Sequence, residues 1–203
     1  QFTKNQFLTE SKTEIEYNGT SIEFLKSTGK LNNEGYIIAK IISKDIKEKY
    51  FLLRTKNAGS VAKSTRFFDD AKGGNLLIYA KINDGKKEAL LDGKIILEDI
   101  RLIKVPLLAR ILSLASLTGI FEIFSGEGIL FVKGDIPFEY DPGIISFNDA
   151  RLYGPSLGMR VDGSLNNLEE TIDISGTIIP AHTINSILGQ IPLLGSLLVG
   201  QKK

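Results

Sequence analysis

Glycine-centred turn signals recur along this chain at short intervals, and they limit its fold more than any other feature. Asn18-Gly19, Gly73-Gly74, Asp84-Gly85, Asp92-Gly93, Pro142-Gly143 and Asp162-Gly163 are dipeptides where the backbone reaches positive φ at little cost. Between them lie short runs rich in Ile, Leu, Val, Phe and Tyr. Thr13 to Tyr17 and Thr20 to Leu25 flank Asn18-Gly19 and predict a hairpin. Tyr36 to Ile42 with Lys49 to Thr55 predict a second antiparallel pair. Asn75 to Lys81 and Lys86 to Leu91 flank Asp84-Gly85. Lys94 to Ile103, Gly128 to Lys133, Pro137 to Tyr140, Gly143 to Phe147, Leu157 to Leu165 and Thr171 to Ile179 continue the series. Strands and turns at this spacing imply antiparallel β structure, not βαβ units.

Several of these runs alternate. Leu157, Met159 and Val161 are separated by Gly158 and Arg160, and Ile172 and Ile174 share one face around Asp173. Period-two alternation gives each strand one apolar and one wet side.

Two segments break the pattern. Val105 to Phe124, and its weaker echo from Thr183 to Gly200, are nearly uncharged and rich in Leu and Ile. Pro106 suits a first helical turn and Gly119 the residue past a helix end, so Val105 to Leu117 is predicted as the main helix. Leu107, Ile111 and Leu114 form one stripe, with Leu108, Leu112 and Ala115 beside it. The segment has the length of a membrane span. Arg110, Glu122 and several small polar residues within it favour an amphipathic helix, packed on the sheet or lying at an interface. A short C-terminal helix is predicted from Thr183, as N-cap, to Leu188. Ser60 to Ala71 predicts a further short helix, with Val61, Phe67 and Phe68 as its apolar side.

Composition narrows the function. The chain has 203 residues, enough for one domain with a real core, and 25 Lys+Arg balance 24 Asp+Glu. That balance argues against nucleic-acid binding, which calls for a basic face. The run from Lys44 to Lys49 alternates in sign and is expected to be a solvated edge or turn. Cys is absent, so no disulfide, thiol nucleophile or thiolate metal site is available. This suits an extracytoplasmic protein. The chain starts at Gln1 and carries no signal peptide, which is expected of a fragment or mature segment of something longer.

Catalytic patterns are weak. Gly154-Pro155-Ser156-Leu157-Gly158 matches the G-x-S-x-G of a nucleophile elbow, with Asp162 or Asp173 and then His182 in triad order. An elbow needs a helix after the serine, whereas the residues here continue as a strand. His182 is the only histidine and has no carboxylates at ligand spacing, so no metal site is expected. No phosphate-cradling glycine motif occurs. The chain is expected not to be an enzyme and to need no cofactor.

A set of short motifs in fixed order carries a family likeness. It begins with Asp92-Gly93-Lys94-Ile95. Val105-Pro106-Leu107-Leu108-Ala109-Arg110-Ile111-Leu112, Ser113-Leu114-Ala115-Ser116-Leu117-Thr118-Gly119 and Ser125-Gly126-Glu127-Gly128-Ile129 follow. Pro137-Phe138, Asp149-Ala150-Arg151 and Gly154-Pro155-Ser156-Leu157-Gly158 come next, then Gly176-Thr177-Ile178-Ile179-Pro180, Asn185-Ser186-Ile187-Leu188-Gly189 and Ile191-Pro192-Leu193-Leu194-Gly195. Over Phe51 to Gly200 the chain resembles the C-terminal domain of the AsmA-like family of bacterial envelope proteins, on its YhdP-like side. Position 182 departs from that pattern, which often has an aromatic residue there.

The resemblance implies a single domain over 1–203, the C-terminal fragment of a larger protein. Residues 1–50 would be leading strands of a groove and 51–200 the AsmA-like region. It implies a periplasmic location in the cell envelope, with an inner-membrane anchor upstream of this chain. Partners would be phospholipid, membrane on the outer-membrane side, and upstream domains of the same protein, with no nucleic acid. The implied function is non-catalytic phospholipid binding and transport between inner and outer membranes along an apolar β-groove. The alternative is a scaffold or assembly module for outer-membrane proteins acting through a sheet edge.

The expected fold is mainly β: an antiparallel, curved, groove-like sheet with one main amphipathic helix and a short C-terminal one. Candidate lipid-lining residues are Ile129, Phe131, Phe138, Ile145, Phe147, Leu157, Met159, Val161, Ile172 and Ile174, each of which also suits an ordinary core position. Candidate membrane contacts or groove caps are Leu107, Leu108, Ile111, Leu112, Leu193, Leu194, Leu197 and Leu198.

Overall fold

The computed structural model describes residues 8–19, 21–31, 34–45, 48–64, 70–83, 90–103, 128–169 and 171–180. Within them the chain forms β1 (Leu8–Asn18), β2 (Ser21–Leu31), β3 (Gly35–Asp45), β4 (Glu48–Thr55), α1 (Ala58–Ser64), β5 (Ala71–Asn83), β6 (Leu90–Leu102), β7 (Ile129–Asp141), β8 (Ile144–Tyr153), β9 (Leu157–Asn166) and β10 (Thr171–Pro180). All ten strands belong to one antiparallel sheet whose order is the chain order, so every strand pairs only with its sequence neighbours. β1 and β10 are the two edges, and the sheet stays open and curled.

This meander gives the sheet two unlike ends. Connections after odd-numbered strands gather at one end, the hairpin end. Those after even-numbered strands gather at the other, which holds α1 and the long link from β6 to β7.

Glycine placement explains both the turns and the strand lengths. Gly19 at φ 64° and Gly143 at φ 89° make the expected hairpin turns. Asp92-Gly93, Gly73-Gly74 and Asp162-Gly163 are not turns; they lie inside β6, β5 and β9. At Gly93 an added Cβ would sit 2.2 Å from the Tyr79 carbonyl oxygen, so glycine there allows close strand approach. The separate runs expected at Gly128 to Lys133 and Pro137 to Tyr140 are likewise one strand, β7. Pro137 is tolerated mid-strand because the β7·β8 ladder shifts register between Asp135 and Phe138, where its missing N–H removes no regular bond.

The first helix is displaced from its expected span. α1 covers Ala58–Ser64, and Ala71 begins β5 instead of ending a helix. Asn57 caps it, with Oδ1 accepting from Ser60 N at 3.1 Å. Gly59 presses α1 onto β5, since a Cβ there would lie 2.6 Å from the Ala71 carbonyl oxygen. The main helix expected over Val105 to Leu117 and the short helix expected from Thr183 fall outside the described residues. So do all eight candidate membrane-contact leucines and isoleucines. Among the described residues no helix is long and apolar enough to cross a membrane.

Candidate functional site

Register places the apolar side chains. Residues facing each other across a ladder share a sheet face, so each face can be followed from strand to strand. One row at the hairpin end runs Lys49, Ile82, Leu91, Tyr140, Ile145, Leu165 and Ile172. Another, at the α1 end, joins Ala71, Leu102 and Ile129. All these residues lie on the inner face.

Three irregular positions keep apolar residues on that face over long strands. Gly74 (φ 81°) takes the left-handed conformation, and so do Asp99 (φ 54°) and Asp149 (φ 56°), although they are not glycine. Each shifts the alternation of its strand by one residue. Ile95 and Leu97 point inward before Asp99, and Ile100 and Leu102 after it. Ile145 and Phe147 do so before Asp149, and Leu152 after it, with a matching register shift on the β8·β9 ladder. Asp149 is held by charge on the outer face. Its carboxylate accepts from Arg151 Nε at 2.9 Å and lies 2.8 Å from Arg160 Nε, and Arg151 keeps its pKa below the usual carboxylate range.

The inner face encloses a trough of about 480 Å³. Phe51 of β4, Ile78 of β5, Ile95 and Leu97 of β6, Phe131, Ile136 and Phe138 of β7, Ile145 and Phe147 of β8 and Leu165 of β9 line it, with Val61 and Ala62 of α1. Side chains from six successive strands can face one cavity only where the sheet curls. At the α1 end the trough closes into a small core, where Ala58, Ala71, Leu76, Ile100, Ile129, Phe131 and Leu157 are buried together. Along the hairpin-end row the face opens towards the β10 edge: Lys49 and Ile82 are buried, whereas Ile172 is 71% exposed.

The ten candidate lining residues divide along this gradient. Phe131, Phe138, Ile145 and Phe147 line the trough. Ile129 and Leu157 belong to the plug, and Met159 packs against it. Val161 is half-buried on the same face, opposite Gly176. Ile172 and Ile174 extend the face at the exposed edge. The β4–β6 half of the trough was absent from the sequence expectation. Its signal was the alternation Phe51-Leu53 and Ile95-Leu97, which the supposed turn at Asp92-Gly93 obscured.

The run from Lys44 to Lys49 falls at a turn, as expected, and departs from expectation at one residue. It is the β3–β4 hairpin, but Lys49 turns inward and is only 5% exposed. Ser156 sits in a turn between two antiparallel strands, where Gly154 N donates to the Leu157 carbonyl at 2.9 Å. Asp162 accepts from Asp149 N at 2.7 Å, and His182 lies outside the described residues. The strand–serine–helix geometry of an elbow is not formed there. Among the described residues no three His, Asp or Glu side chains gather to hold a metal ion.

No family model, curated protein or solved structure matches the chain.

Proposed function

We propose that this chain is a non-catalytic carrier of lipid acyl chains, serving phospholipid transfer between the inner and outer membranes of a bacterial envelope. The observation behind this reading is the trough: a concave space of about 480 Å³ with an uncharged lining, on a sheet that does not close on itself. A volume of that order suits a small apolar ligand, and burial is worth about 0.8 kcal/mol per methylene. Acyl chains would lie between β4 and β9 while head groups stay at the open side. Movement along such a floor needs no directional polar contact. The resemblance to AsmA-like C-terminal domains supports the same reading and supplies its periplasmic setting, its membrane partners and its place at the end of a longer groove.

The test is mass spectrometry of lipid extracted from the purified protein, repeated for Phe138→Asp and Phe147→Asp. Co-purifying phospholipid in the native protein and its loss in folded variants is the expected result. Native protein that stays lipid-free and takes up no lipid from vesicles overturns the reading.

A second reading, a scaffold that receives another strand, rests on β10. This edge strand carries a single charged residue, Asp173, and shows no register shift against β9.

A further inference from the structure

The inner face is uncharged almost everywhere. Among the described residues, the inward positions of β4 to β10 carry one charged side chain, Lys49. It lies in the same row as Leu91 and Tyr140 of the trough lining, two strands from Leu91, near the hairpin end. Its Nζ donates to Ser21 Oγ and lies 3.8 Å from a Glu23 carboxylate oxygen. That separation is an ion pair but longer than a hydrogen bond.

The backbone around the pair is irregular on both sides. The β1·β2 ladder shifts register between Glu16 and Tyr17, which leaves Glu23 as the extra residue between Ile22 and Phe24. The β3·β4 ladder shifts between Ser43 and Asp45, directly beside Lys49. Bulges of this kind re-aim side chains. Lys49 is buried while Glu23 keeps 31% of its side chain exposed, so the cost of desolvating the ammonium offsets much of the pair's attraction. Its position and cost need another explanation.

We infer that Lys49 and Glu23 form a head-group clamp for a zwitterionic lipid whose head joins a phosphate to a primary ammonium. This rests on the lipid-carrying reading above and adds selectivity to it. The pair is neutral overall. A purely anionic head would satisfy Lys49 and leave Glu23 facing it. A purely cationic head would do the reverse. A phosphate with a tethered ammonium replaces both partners at once: the phosphate accepts from Lys49 Nζ, and the ammonium donates to Glu23. Ser21 Oγ adds a donor to the phosphate. The acyl chain then runs from the Lys49 row past Phe51 into the trough.

Three amphiphiles with one common oleoyl chain test it by displacement of an apolar fluorescent dye: lysophosphatidylethanolamine, lysophosphatidylglycerol and monoacylglycerol. The zwitterion should bind at least about tenfold more tightly than the other two, the scale of one charge-assisted hydrogen bond. E23Q should transfer the preference to lysophosphatidylglycerol, because the Glu23 carboxylate that repels a purely anionic head is gone while Lys49 keeps its charge. Removing one partner alone can unfold the site, so the double variant K49M/E23L is the control, since apolar replacement of a whole buried pair is tolerated. It should bind monoacylglycerol as the native protein does and show no head-group preference. Equal binding of all three amphiphiles by native protein overturns the clamp, as does a preference that survives in K49M/E23L. Failure of even monoacylglycerol to displace the dye overturns the carrier reading itself.

Discussion

The α1 end of the inner face and its β10 edge follow the same alternation, yet they meet opposite fates. At the α1 end Phe131 is 0% exposed and Ile129 and Leu157 are nearly so. At the β10 edge Ile172 and Ile174 are exposed, and Leu168 in the β9–β10 turn more so. The difference lies in what sits above the sheet. α1 packs on β5 and β6 at one end and closes the curl there. Residues in the middle, such as Phe138 and Phe147, line space between these extremes. A β strand alone therefore does not decide whether its apolar side becomes core or ligand surface; the cover decides.

The contrast can be broken most severely at the plug. Phe131→Ala should cost about 3–5 kcal/mol, since it opens a cavity among fully buried neighbours. Urea unfolding followed by circular dichroism reads this, and a loss near zero would show that the plug is not a core. Phe147→Ser, in the trough, should cost roughly 1–2 kcal/mol, less because the side chain is only half-buried. Dye uptake should fall more than stability does. Asn57→Ala should remove about 1 kcal/mol by uncapping α1, where its side chain holds Ser60 N. Ile174→Lys, at the exposed edge of the same face, should stay within about 0.5 kcal/mol of native stability. A large loss there would mean that the edge is covered in solution.

The smallest effect belongs to the outer face of β1 and β2. Glu10 accepts from Lys30 Nζ at 2.7 Å, and that bond holds its carboxyl below the usual range. A carboxylate lowered on folding adds stability above its ordinary pKa, and this is lost as pH falls through the folded value. The pair is exposed, so salt should erase the contribution. Thermal melts of native protein and Glu10→Gln, compared from neutral to acid pH at low and high salt, check the sign. The two should converge in acid.

The antiparallel architecture was legible because turn glycines and alternation report local geometry directly. Gly19 and Gly143 did what their dipeptides implied. Gly93 and Gly163 did not, because glycine also serves where two strands approach closely, and sequence alone does not separate these uses. The β7–β9 side of the trough was visible in Phe138, Ile145 and Phe147, whose short runs alternate. The β4–β6 side was hidden by the apparent turn at Asp92-Gly93, which lies inside β6, and by phase changes at Gly74 and Asp99, which no period-two pattern anticipates. Lys49 was misplaced for a different reason. A charged residue in a run of alternating charge resembles surface, and only register against Ile82 turns it inward.

The strand order equals the chain order, and that has a consequence for how the molecule is made. No strand waits for a distant partner. Each added hairpin can dock on the one before it, with the β6–β7 pairing, which joins Leu91 to Tyr140, as the longest closure in sequence. Stability accrues between neighbours, as in repeat proteins. Inserting or deleting one hairpin would widen or narrow the sheet without rethreading the rest, which makes its extent an evolvable dimension.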